Sequence, residues 1–306
     1  MARGNCMYCG APLPQEVREA AASAAERVLQ TRNLAALEQA AMGPDTSQVK
    51  RRYVVIDTTT STPEIIASAC SVSVWEARQW QAASRYRLLK ISREVEEDRL
   101  ESNLRGMGLD PIVFSEETVA RARSPIPIDS IDTSAQPAVC MVREKPEGAL
   151  FRREIQEEAI ALIVSGPIKR EKQRPQASKV RLDSRLDDGW LVHLHFRSET
   201  RPWELDPRRT GFEGTGLASA HMQTVELVRR LSSRIPIDEA FKNVVPALSP
   251  GVDPADELPG VKNSQGKSQD NQPKTIILDN VAQFREYSAW RAATERLRAA
   301  AHPEKP

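Results

Sequence analysis

Between Tyr53 and Phe114 the apolar spacing switches between strand and helix period at short intervals, which leaves few folds open to this part of the chain. Tyr53 to Asp57 is a β-branched run and predicts a strand. Ser61-Thr62-Pro63-Glu64 predicts a helix start, with Thr62 as N-cap and Pro63 at the first helical position. Ile65, Ile66, Ala69 and Cys70 are expected on its buried face. After Ser71–Ser73 a second helix is expected, with Val74, Ala77 and Trp80 facing inward. Tyr86 to Ile91 predicts a strand and Glu94 to Gly108 a helix that turns Val95, Leu100 and Leu104 inward. Gly106 and Gly108 are its stop signals, and Leu109 to Phe114 is the last strand. The order is β-α-α-β-α-β with short connections, and the unit is expected over 53–119.

That order resembles the C-terminal domain of the bacterial ribosomal stalk protein and the related fold of the Clp protease adaptor that recognises N-terminal degrons. The residues carrying the likeness are Val54-Val55-Ile56, Glu76-Ala77-Arg78, Leu88-Leu89-Lys90, Leu104, Gly108 and Leu109. It covers roughly one fifth of the chain and implies a fold, not an activity. The stalk domain receives translation factors on a lysine-bearing helix, whereas Thr62 to Cys70 contains no lysine. The adaptor pocket uses an Asn-Asp pair and a helical histidine; Asp57-Thr58 stand here, and 53–115 contains no histidine.

Around this unit the chain is more weakly patterned. Residues 1–14 form a knuckle-like leader, and 15–43 an alanine-rich helix ended by Gly43-Pro44-Asp45. Pro125, Pro127, Pro137 and Pro146 predict a linker over 124–148 with room for one short strand at Ala138 to Val142. A second unit is expected over 149–301: a strand from Ala159 interrupted at Gly166-Pro167, another over Lys179 to Ser184, and a turn at Asp187-Asp188-Gly189. That turn opens an alternating strand, Trp190 to Phe196. Trp203 to Asp206 reads as its antiparallel neighbour. Helices follow to Ser232, with Met222, Val225, Val228 and Leu231 inward, and from Val281 to Ala301, separated by a polar mobile loop over 248–273 and a strand at Thr275 to Leu278. The fold class is therefore α+β, its second domain mainly antiparallel sheet with packed helices.

Few residues suggest chemistry. Cys6-x-x-Cys9-Gly10 resembles one knuckle of a zinc ribbon and supplies two thiolates, half of a structural zinc site. A second copy of the chain, in a homodimer, or His193 and His195 could complete it; the alternative is a relic knuckle packed on the first helix. Cys70 and Cys140 read as small buried hydrophobes. His193 and His195 share one strand face and could bind a metal together with Glu204 or Asp206, or simply form the solvated side of an antiparallel sheet. Lys169, Arg170, Lys172 and Arg174 open a basic stretch reaching Arg185, which reads either as a charged hairpin edge or as an anion site for nucleic acid, anionic lipid or acidic protein. Trp75 and Trp80 lie five apart, so one of them falls at a margin, and Trp75 beside Arg78 is a candidate partner anchor.

Lys+Arg 43 against Asp+Glu 42 leaves a net charge of +1, which argues against a globally polybasic nucleic-acid binder. No apolar run suits a membrane span, and Arg3 is followed by no apolar signal core, so a cytoplasmic protein is expected. No Gly-x-Gly-x-x-Gly, Walker loop, His-Glu-x-x-His or Gly-x-Ser-x-Gly occurs. The reading that follows is a non-catalytic adaptor or scaffold that binds a protein partner and holds a possible zinc ion. A nucleic-acid or anionic-surface binder and a metal enzyme centred on His193 and His195 are the alternatives.

Overall fold

The small β-α-α-β-α-β unit forms with the order expected, and caps mark the starts of its first two helices and the end of its third. In the computed structural model β1 (Arg51–Asp57) is followed by α1 (Pro63–Cys70), α2 (Val74–Ala83), β2 (Tyr86–Arg93), α3 (Glu97–Gly106) and β3 (Pro111–Ser115). Thr62 Oγ1 accepts from Ile65 N and caps α1, with Pro63 at its first position. Ser73 and Glu76 form a reciprocal capping box on α2. At the end of α3, Gly108 N donates to Arg105 O and Leu109 N to Leu104 O, a closure that needs the positive φ of 85° at Gly108. The strands lie in the order β2-β1-β3, both pairs antiparallel.

The structure describes residues 51–93, 97–144, 148–175, 180–213, 219–250 and 276–301. Cys6, Cys9, the 15–43 helix and most of the loop predicted over 248–273 lie outside the described residues. After β3 come α4 (Glu116–Ala120), a 3-10 turn (Arg121–Arg123), β4 (Ile126–Asp132), β5 (Val139–Arg143), β6 (Leu150–Glu154), β7 (Ile160–Pro175) and β8 (Val180–Phe196). They are followed by β9 (Trp203–Leu205), β10 (Gly211–Glu213), α5 (Ala220–Ser232), β11 (Ile237–Asp238), β12 (Ser249–Pro250), β13 (Ile276–Asp279) and α6 (Val281–Ala301). The second sheet runs β12-β13-β7-β8-β9-β4-β5-β6, with β10 pairing β4 and β11 pairing β7. The α+β class holds. Among the described residues no helix is long and apolar enough to cross a membrane.

Three expectations are corrected. The linker placed over 124–148 holds two paired strands: Ile126, Ile128, Ile131, Cys140 and Val142 are buried in one core, Pro125 and Pro127 stand at the start of the first strand, and Pro137 lies in the bend between the two. The Asp187-Asp188-Gly189 turn does not form. The β7–β8 ladder runs through it, and from Ile168↔Gly189 to Arg170↔Leu186 the second strand spends one residue more than the first, so the turn signal became a β-bulge. Gly166 does not interrupt β7 either. A Cβ there would come within 2.6 Å of the Phe241 ring, so the glycine admits a side chain rather than breaking the strand.

The two predicted domains also share a core. One face of the small sheet (Val54, Ile56) packs on Ile66, Ala77 and Leu104 of its own helices. The other face (Tyr53, Val55, Phe114) meets Phe284, Tyr287 and Trp290 of α6, whose far side meets Leu162, Val164 and Leu191 of β7 and β8. The second sheet's opposite face is covered by Leu227 and Leu231 of α5. The order of layers is helices, small sheet, α6, large sheet, α5.

Candidate functional site

A helix held between two sheets cannot turn a polar face to water, and α6 is buried continuously over residues 287–294, including Ser288, Arg291 and Thr294. Each needs an internal partner. Thr294 Oγ1 donates to Trp290 O at 2.9 Å within the helix. Arg291 pairs with Asp238, which also accepts from Tyr287 Oη at 2.8 Å, and the guanidinium lies over the Tyr86 ring at 4.4 Å. Ser288 meets the two histidines of β8.

His193 and His195 do share a face, as alternation required, but that face is sealed by α6 rather than solvated. They are 0% and 1% exposed. Ser288 Oγ lies 2.8 Å from His193 Nδ1 and 2.7 Å from His195 Nε2, while His193 Nε2 lies 3.0 Å from Glu204 Oε2. Glu204 in turn receives both ends of the Arg285 guanidinium at 2.9 and 2.7 Å. Burial pushes both imidazoles below their ordinary range, His195 well below it, with neighbouring cations adding to the effect and Glu204 partly opposing it at His193. Burial raises the Glu204 carboxyl, yet the hydrogen bonds from His193 and Arg285 outweigh it and hold the group down at about 2.

Neutral imidazoles and an ionised carboxylate leave one proton arrangement. His193 Nε2–H donates to Glu204, so His193 Nδ1 is bare and accepts from Ser288 Oγ–H. The serine then accepts from His195 Nε2–H. This assigned chain ends at His195 Nδ1, which is buried and has no hydrogen-bond partner among the described residues. A serine on an imidazole backed by a carboxylate has the order of a nucleophile, a base and an orienting group. Ser288 is itself 0% exposed in mid-helix, however, and its oxygen already serves both rings, so no carbonyl can come near it. The arrangement locks helix to sheet. Nor do the histidines offer one metal ion two free nitrogens: three of the four are engaged, and among the described residues their hydrogen-bond partners are Ser288 and Glu204, not Asp206. Among the described residues no group of three metal-ligating side chains converges.

The Glu204–Arg285 end of this hydrogen-bonded chain opens on a cavity. It is a cleft of about 410 Å³ at the start of α6, lined also by Arg123, Arg170, Asp279 and Glu286. Arg123 pairs with Glu116 and Glu286, and Tyr53 Oη donates to Glu286 at 2.6 Å, which ties the small sheet to α6. Of the predicted basic group, Arg170 turns inward at 9% exposure; the side chains of Lys172 and Arg174 lie outside the described residues. Lys169 meets Asn280 through its backbone: its N–H donates to Asn280 Oδ1 at 2.8 Å and its carbonyl accepts from Asn280 N at 3.3 Å.

On the opposite side of the small sheet the margin expected among the tryptophans is found at Trp75, which is 69% exposed, while Trp80 is half-buried under the Arg87 guanidinium at 4.6 Å. Val74, expected inward, is also exposed, as is Ile65 on α1. Arg78 reaches Glu64 at 3.6 Å across the two helices. Sequence reasoning named His193, His195 and Glu204. It missed Ser288 and Arg285 as partners, because a lone serine and one of four arginines in an alanine-rich helix carry no periodic signal. Burial makes Cys140 a poor thiolate, pushed up to about 12. Set beside known proteins, the chain matches no family model, no curated protein and no solved structure, so its function is argued from these groups alone.

Proposed function

We propose that the chain is a non-catalytic docking protein whose contact face is the outer side of α1 and α2. The observation that carries this reading is Trp75, an indole left 69% exposed in the first turn of a helix whose inner residue, Ala77, is fully packed. Tryptophan and arginine are the side chains that most often anchor protein interfaces, because a large apolar ring desolvates well and a guanidinium pairs with carboxylates. Val74 and Ile65 add apolar surface on the same two helices. The Arg78–Glu64 bridge is open to water at both ends, so it contributes little and exchanges partners cheaply. The partner that fits is an amphipathic segment that covers Trp75 with an apolar side chain and offers Arg78 a carboxylate.

The reading is tested with a photo-crosslinking residue placed at position 75 in cells, and at exposed Arg197 as the control. A discrete adduct at 75 that Arg78→Glu weakens about tenfold, with unchanged thermal stability, is the expected outcome. Adducts at 75 no different from those at 197 would overturn it.

A further inference from the structure

Independently of that surface, the large sheet ends in a strand whose outer side is open. Among the described residues β6 pairs only with β5, and every residue of Leu150–Glu154 is exposed, Leu150 at 43% and Phe151 at 45%. The hydrogen-bond phase shows which backbone groups face out. Ile155 N donates to Ala138 O at 2.8 Å, and the register continues with Val139 opposite Glu154 and Cys140 opposite Arg153. Successive residues of an antiparallel strand bond to opposite sides, so Phe151 and Arg153 bond to β5. The N–H and C=O groups of Leu150, Arg152 and Glu154 therefore point away from the sheet. Gln156 is still extended and adds its N–H to that side, while its carbonyl accepts from Ala159 N.

The charges on this edge restrict what can pair with it. Edges that avoid partners carry like charges, which repel a copy of themselves. On β6 the signs alternate instead: Arg152 and Glu154 share one face, opposite Met141 and Val139 of β5. Among the described residues, the one ion pair of the strand's charged side chains joins Arg153 to Glu144 at 3.8 Å. A copy running antiparallel about a two-fold axis through Arg153 sets Arg152 against Glu154 of the copy, and the axis repeats the pair. Arg153 meets its own copy on the other face, each beside its own Glu144. Moving the axis by one residue sets Arg152 against Arg152 or Glu154 against Glu154. Residue 153 is also the midpoint of 150–156, so the register that matches the charges uses the whole extended length. A peptide of a single charge sign fits an edge of both signs less well.

We propose that the chain self-associates as a two-fold dimer in which the β6 edges of two copies pair antiparallel and join their large sheets into one. So short a strand pair buries less than the roughly 1,200 Å² of a standard interface, and the dimer forms with a Kd of about 10–100 μM.

The test is sedimentation velocity of the full-length protein from about 1 μM to about 500 μM, with charge reversals at two exposed positions that leave the fold intact. Arg152→Glu alone and Glu154→Arg alone each turn both cross-strand pairs repulsive, and each is expected to weaken the dimer about tenfold. An equimolar mixture of the two variants restores opposite charges at both pairs, as does the double variant Arg152→Glu/Glu154→Arg. Both are expected to associate as the wild type does. A chain that stays monomeric throughout, a dimer that either single reversal leaves intact, or weakening that neither the mixture nor the double variant rescues each overturns the proposal. A dimer lost in Cys6→Ser but kept in Arg152→Glu assigns self-association to the N-terminal thiols and overturns it as well.

Discussion

Two imidazoles that stay neutral in the folded chain take up protons freely once it unfolds, and that difference makes stability depend on pH. The folded values of His193 and His195 lie below the ordinary value near 6.5, so between that pH and the lower folded values the unfolded chain binds more protons. Their contribution is complete above about pH 6.5 and is lost as pH falls, by up to about 1.4 kcal/mol per pH unit for each ring. Glu204 acts in a separate, more acidic window: depressed to about 2, it costs stability only as pH falls below its ordinary 4.5. Urea unfolding followed from about pH 7 to pH 5 is expected to show the first loss, and a flat profile would contradict neutral buried rings. Ser288→Ala leaves one imidazole acceptor and one imidazole donor unmatched, and should cost about 2–5 kcal/mol in the same assay. The shared face of the two histidines was legible from alternation. Its burial was not, because the hydroxyl that completes the pair lies 95 residues further on.

Elements were most legible where local chemistry decides them. Thr62, Pro63, Ser73 and Gly108 mark boundaries by satisfying backbone groups within a few residues, and those boundaries were read correctly. Signals failed where a long-range ladder competed with a local preference: Asp187-Asp188-Gly189 favours a turn, but pairing with β7 on both sides absorbs it as one extra residue. The face of α5 was read half correctly for a related reason. Leu231 is buried and Val228 packs on the same core as expected, but Met222 and Val225 are exposed and Thr224 and Leu227 take the inward side, since the sheet beneath selects the rotation. Gly166 offers a test at this scale. Gly166→Ala should destabilise by about 1–3 kcal/mol through collision with Phe241, and the penalty should shrink in a Phe241→Leu background. Additive costs in the two variants would mean that the contact is not the cause.

At the scale of the whole molecule, the α+β class and the element order were readable, whereas the joining of two modules through one helix was not. Segment patterns report which faces are apolar and not what covers them. The segment 51–124 alone is expected to lack a cooperative unfolding transition, because Tyr53, Val55 and Phe114 lose their α6 cover. A sharp transition in that fragment would restore the picture of independent domains.

The place of α6 in the chain has a consequence for biosynthesis. A ribosome delivers both sheets before the segment that belongs between them, so nascent apolar surfaces wait in the exit-tunnel vestibule with nothing to close over. Chaperone engagement should persist until translation passes Ala301, then end in a single late collapse.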